Sequence, residues 1–190
     1  MGPETKLLDA AERLLVEVGY AAITTRRVAA EARVNHGLVH YYFGSMEELF
    51  VQVLERFTQR LIERQREMYS QEVPFLEKWR VAIGYLEEDL ATGYSKIWLE
   101  LQALAWNRDY LRARVARVNS EWRQVLTQAF ERALDEYGQR DRVRTDAAVS
   151  LVMTFNQGIM LERLSGVTEG QASLLEAIDE LLSSMPVTAS

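Results

Sequence analysis

Apolar residues recur every three to four positions through almost the whole chain, with polar residues between them, which is the periodicity of amphipathic helices. In residues 5–18, Leu7, Leu8, Ala11, Leu14, Leu15 and Val18 share one face and Asp9, Glu12, Arg13 and Glu17 the other. Gly19 stands where a left-handed cap residue would end this helix. Tyr20 and Ile23 then look like core contacts that tether the link to the next element. Thr24 suits the N-cap of a short helix over 25–32, whose small apolar face is Val28, Ala29 and Ala32. Arg33 and Val34 form a tight break, and Asn35 suits the cap of a second short helix over 36–42. Within it Val39 points inward, while Phe43 ends it against the core. Gly44 closes that helix, and Ser45 with Glu48 predicts a capping box for the next.

Two short helices around a tight break, followed by a capped longer one, are the grammar of a helix-turn-helix. The long pattern over 46–69 carries Leu49, Phe50, Val53, Leu54, Phe57, Leu61 and Ile62, and it reads as a connector between two domains. Further patterns cover 75–90, with Pro74 in its first turn, then 94–106, 109–137, 146–164 and 171–184. The expected fold class is all-α with about nine helices. A three-helix helix-turn-helix domain over residues 1–47 is joined by the long helix to a helical body over 48–190.

Composition agrees, because only 3 prolines and 10 glycines interrupt 190 residues. With no cysteine, disulfides, thiolate chemistry and Cys-based zinc sites are excluded. The 2 histidines, His36 and His40, lie four apart on one helix face without a metal-binding motif, so neither a metal nor another cofactor is expected. No Glu-x-x-His pair, Gly-rich phosphate loop or nucleophile elbow is present, which argues against an enzyme. No apolar run reaches transmembrane length and the first residues lack a signal-peptide pattern, so a cytoplasmic protein without membrane contact is expected.

A net charge of −6 speaks on its face against a nucleic-acid partner. Charge acts locally, however, and residues 19–46 hold Arg26, Arg27 and Arg33 against Glu31 alone. The second short helix leaves His36, Gly37, Leu38, His40 and Tyr41 largely outward, a surface too apolar and aromatic for an idle solvated face. Gly37 costs about 1 kcal/mol of helix propensity relative to alanine. Close approach of another molecule and close packing on the first helix explain it equally well.

The segment LLDAAERLLVEVGYAAITTRRVAAEARVNHGLVHYYFGSMEEL, residues 7–49, resembles the N-terminal signature of the TetR family of bacterial transcriptional regulators. The resemblance implies a helical ligand-binding and dimerisation domain behind the reading head. It implies that Thr24 starts the second helix beside a phosphate-touching Thr25, and that Arg26 and Arg27 approach the backbone or base edges. It further implies that His36, Leu38, His40 and Tyr41 line the major-groove face and that Tyr42 holds a phosphate. Gly37 and Asn35 belong to the same surface. The sequence departs from the family pattern at four positions: Arg33 for a turn glycine, His36 for lysine or a small polar residue, His40 for tyrosine and Met46 for lysine. A left-handed Arg33 would cost about 1 kcal/mol, while its guanidinium could reach a phosphate.

The expected partners are therefore double-stranded operator DNA, a small hydrophobic or aromatic effector and a second copy of the chain. The aromatic residues of the body suit an effector cavity, with Trp79, Trp98, Leu101, Trp106, Trp122 and Phe155 as its lining and Asn156 as a polar anchor. Residues 146–164 are apolar over more than one face, and 171–184 repeat the theme, which marks a dimer patch through Val149, Val152, Met153, Met160, Leu174, Ile178 and Leu181. The resulting expectation is a ligand-responsive repressor on a palindromic operator. The alternatives are a helical protein-binding adaptor and an activator of the same fold.

Overall fold

The computed structural model describes residues 2–187, and the regular elements among them are all helical. Nine α-helices follow one another: α1 Pro3–Val18, α2 Thr25–Ala32, α3 Gly37–Phe43, α4 Met46–Ser70, α5 Phe75–Ala91, α6 Tyr94–Ala105, α7 Asp109–Glu136, α8 Thr145–Leu164 and α9 Gln171–Ser184. A single 3₁₀ turn, Tyr20–Ala22, links α1 to α2. Element type and number are those that the apolar periodicity predicts.

The described chain forms two compact units. The first gathers the residues up to Leu61 with Asp89–Val118, and the second gathers Ile62–Glu88 with the residues from Asn119 onward. Helices α4, α5 and α7 thus contribute to both, whereas α6 falls wholly in the first and α8 and α9 in the second.

In the first unit α1 packs against α2, α3 and α6. Leu7, Leu15, Val28, Val39, Leu49, Phe50, Leu54 and Ile97 are buried there, each large side chain contributing roughly 1.5 to 3 kcal/mol through removal from water. Local chemistry shapes the joints. Gly19 has φ 74 and ψ 164, so its φ is positive as the sequence suggests, but the chain leaves extended rather than coiled, in a region that essentially only glycine occupies. The Thr24 hydroxyl accepts the Arg27 N–H at 3.2 Å and starts α2. Ser45 Oγ likewise accepts the Glu48 N–H at 3.0 Å. The reciprocal half of the expected capping box is diverted, since the Glu48 carboxylate accepts from Gln52 at 3.1 Å and from Arg114 at 3.3 Å.

Ion pairs hold α4 on two sides within this unit. Arg56 donates to Asp9 at 2.7 Å and to Glu12 at 2.6 Å on α1. From α7, Arg114 grips Glu55 at 2.5 Å and Arg117 joins the same carboxylate.

The second unit is built on Phe75, Trp79, Val125, Leu126, Ala129, Tyr137 and Val149. Phe75 meets Phe130 edge-on with centroids 5.3 Å apart. Pro74 is not inside α5 but just before it, because its carbonyl accepts the Glu77 N–H at 3.1 Å. The Phe75 N–H that begins the helix donates to both Glu136 oxygens, at 2.9 and 3.1 Å, so a side chain from α7 caps α5. Burial pushes the Tyr69 hydroxyl up to about 12.

Candidate functional site

Helix α3 is anchored by its inward residues, Val39 and Phe43, which are buried against the rest of the first unit. Its start is set locally. Asn35 Oδ1 accepts the Gly37 N–H at 2.8 Å and the Asn35 carbonyl accepts the Leu38 N–H at 3.0 Å, so Asn35 acts as the cap that the sequence suggests. The break before it is made by Arg33 in the left-handed conformation, φ 54 and ψ 47. Its N–H bonds the Ala29 and Ala30 carbonyls and so closes α2.

This anchoring leaves a continuous outward set. His36, Gly37 and His40 are exposed, Leu38 and Tyr42 are half-buried, and Tyr41 is 78% exposed. The Tyr41 and Tyr42 rings meet edge-on at 5.0 Å. A Cβ on Gly37 would lie 3.3 Å from Asn35 Oδ1, so its missing side chain also makes room for the cap. On the neighbouring α2, Arg26 and Arg27 are exposed, Thr24 is exposed and Thr25 half-buried. Arg27 turns back, with Nη1 donating to the Ala22 carbonyl at 3.4 Å. Every helix-turn-helix residue singled out by the sequence therefore belongs to α2, its cap, the turn or α3.

The electrostatics favour an anion on this surface. Glu31, the acid among the three arginines, is paired with Arg13 of α1 at 3.0 Å. Arg26, Arg27 and Arg33 are exposed on the same surface, which gives it a local positive charge. Nothing local marks Arg13 for this task, since it sits 18 positions from Glu31.

The residues expected to line an effector cavity are distributed over both units. Trp98 and Leu101 are buried in the first, where Trp106, just past the end of α6, is 72% exposed. Trp79 is buried in the second unit with its ring 6.2 Å from Phe155, and Trp122 packs on the same core. Asn156 is half-buried. An open groove of about 410 Å³ in the second unit is bordered by Trp79, Arg80, Ile83, Leu175, Glu176, Asp179 and Glu180. Gln65 of α4 is missed by sequence reasoning: it is buried, and its Oε1 has no hydrogen-bond partner.

Among the expected dimer residues, Val149 and Met160 are buried within the described chain. Val152, Met153 and Ile178 are half-buried against the core of the second unit. Leu174 and Leu181 are exposed, as are Leu151 and Leu161 on α8, which are 71% and 58% accessible. Among the described residues no helix is long and apolar enough to cross a membrane, and no group of three or more His, Cys, Asp or Glu is placed to hold a metal ion.

A short helix anchored by two buried residues, preceded by a capped turn and flanked by exposed arginines, has the form of a helix-turn-helix. Residues 7–53 match the family described as bacterial regulatory proteins, tetR family. Over these residues the chain is similar to the DNA-binding region of TetR-family regulators. It is 24% identical over 179 residues to the transcriptional repressor AcnR of Corynebacterium glutamicum, a match that covers 92% of this chain and 89% of that protein. Its fold is similar to that of FadR from Bacillus subtilis, a transcriptional regulator solved with stearoyl-CoA, with TM-score 0.76 and 18% identity over 95% of this chain and 97% of that one. A transcriptional regulator from Saccharomonospora viridis solved with choline is similar at TM-score 0.75 and 17% identity, covering 98% of both chains.

Proposed function

We propose that the protein is a cytoplasmic repressor that binds a palindromic operator as a homodimer and leaves it when a small hydrophobic or aromatic effector binds. The observation that carries this reading is the outward face of α3, held in place by Val39 and Phe43 beside arginines whose local acid is already paired. In this reading residues 1–47 read DNA and residues 48–190 bind effector and partner. Thr25, Arg26, Arg27, Arg33 and Tyr42 fix the register on phosphates, while His36, Leu38, His40 and Tyr41 meet base edges. Leu38 suits a thymine methyl.

Dimerisation is assigned to α8 and α9, whose exposed leucines pair with those of a second copy in a four-helix arrangement. Two reading heads then address half-sites about 34 to 36 Å apart or somewhat more. The effector is assigned to the aromatic interior, and the unpaired Gln65 Oε1 offers it a buried acceptor. Release follows if the effector binds better to a conformation whose reading heads do not match the operator spacing.

Selection of duplexes from a random pool by the purified protein tests the reading. An enriched palindrome whose binding weakens steeply with salt is expected, because phosphate contacts release counterions. A peptide-binding adaptor would enrich no duplex, and that result would remove the reading. Transcription from a promoter carrying the selected palindrome should fall on addition of the protein; a rise would make it an activator.

A further inference from the structure

His40 occupies the last turn of α3, and its Nδ1 lies 2.5 Å from the carbonyl oxygen of Gly44. A peptide carbonyl has no proton to give, so the proton of this bond is on Nδ1. A neutral imidazole carries one N–H, and Nε2 is left as a bare acceptor. The contact is reinforced from the other side, since the Gly44 N–H donates to the His40 carbonyl at 3.0 Å.

Glycine makes this possible through its backbone angles. Gly44 has φ 71 and ψ −39, and a Cβ there would meet nothing within 4 Å. Its conformation, rather than space, is what another residue would adopt only at a cost. The ring of His40 is exposed, and among the described residues its hydrogen bond is made through Nδ1 and not Nε2.

We propose that His40 reads operator DNA through Nε2 as a hydrogen-bond acceptor, pairing with the exocyclic amine of adenine or cytosine. The inference rests on α3 being the helix that enters the major groove. In that groove adenine N6 and cytosine N4 present donors, whereas guanine N7 and O6 and thymine O4 present acceptors. A lone pair on Nε2 attracts the first pair and is repelled by the second. The same repulsion applies to phosphate oxygens, so His40 is a base reader and not a backbone anchor. The Gly44 carbonyl acts here as a positioning group that selects one of two tautomers and thereby the base.

Two measurements test this on the full chain. Long-range ¹H–¹⁵N correlation spectra of the labelled protein, taken at about pH 8, should show Nδ1 protonated and Nε2 unprotonated. Gly44→Ala should shift the ring toward a mixture of tautomers. A predominantly Nε2–H ring in the wild type would overturn the inference. The second measurement is duplex selection at the same pH with wild type and His40→Ala, an exposed position where alanine favours the helix. One position in each half-site should prefer adenine or cytosine with the wild type and lose that preference with the variant.

Affinity for the wild-type operator should fall about fivefold on His40→Ala, the scale of one hydrogen bond. Replacing that adenine by purine, or cytosine by 2-pyrimidinone, removes only the amine. It should weaken the wild type alike and leave the variant unchanged. Guanine or thymine at the released position, or no released position, would overturn the inference while leaving DNA binding intact. If no duplex is enriched although Nδ1 is protonated, the DNA-binding reading itself fails and the inference falls with it.

Discussion

The Glu100 carboxylate accepts the backbone N–H of Tyr20 at 2.7 Å, joining α6 to the turn that leads into the helix-turn-helix across 80 positions of sequence. Its other oxygen lies 2.8 Å from where a Cβ on Gly19 would sit. Four residues earlier on α6, Lys96 Nζ donates to the Val16 carbonyl at 3.3 Å. The end of α1 and the entry to the reading head are thus held by one face of α6 through polar contacts.

Gly19→Ala meets both a backbone conformation reserved for glycine and the Glu100 oxygen. Urea denaturation should show a loss of about 2 kcal/mol. Glu100→Ala strands the Tyr20 N–H and should cost about 1 to 2 kcal/mol. Glu100→Gln keeps an acceptor and should lie closer to the wild type. Equal stability of the alanine and glutamine variants would show that the hydrogen bond contributes nothing.

Arg33 holds a left-handed conformation, φ 54, with an ordinary side chain. Arg33→Gly relieves that strain at the expense of a freer unfolded chain, for a net gain of about 0.5 to 1 kcal/mol. Operator binding should nevertheless weaken. The slope of log K against log salt should fall by about 0.9 if the guanidinium sits on a phosphate. An unchanged slope would remove Arg33 from the contact set.

Glu55 provides a pH dependence. Burial by itself raises its carboxyl, but hydrogen bonds and charge from Arg114 and Arg117 outweigh that and hold it below its ordinary value of 4.5. A carboxylate depressed in the folded state stabilises above its unfolded pKa, and the contribution is lost as pH falls through the folded value. Thermal melting of Glu55→Gln should therefore be lower than wild type near neutrality. The gap should narrow as the solution is acidified below about pH 4.5. A gap that stays constant into acid would show that the carboxylate's charge is not what matters.

Leu181, 61% exposed on α9, tests the dimer assignment. Leu181→Glu together with Leu161→Glu places charges on the proposed interface without touching the core of the second unit. Sedimentation should show a monomer with an unchanged helical spectrum, and palindrome affinity should drop by at least about tenfold through loss of the second reading head. A variant that remains dimeric would place the interface elsewhere.

The helices were legible in the chain because the 3.6-residue period is a local property, and so were the caps at Thr24, Asn35 and Ser45, whose side-chain oxygens reach amides two or three residues on. The left-handed Arg33 was anticipated only through the resemblance, which has a turn glycine at that position. Burial was harder to read. Periodicity says which residues share a face but not what that face meets, so Val149 and Met160 look like Leu181 in sequence although the first two are buried and the last is exposed. Trp106 likewise carries the marks of an interior residue, yet it falls beyond the last turn of α6.

By itself the sequence determined the all-helical fold, the helix-turn-helix and the residues that form its outer face, because each depends on neighbours a few positions apart. Only the tertiary structure decided that Glu136 caps α5, that Arg13 neutralises Glu31 and that Glu100 holds Tyr20. Those pairs join charged or polar groups 18 to 80 positions apart, and no local pattern encodes which of many acids a distant donor will meet. Their choice is made when apolar faces pack and bring particular side chains within hydrogen-bond distance.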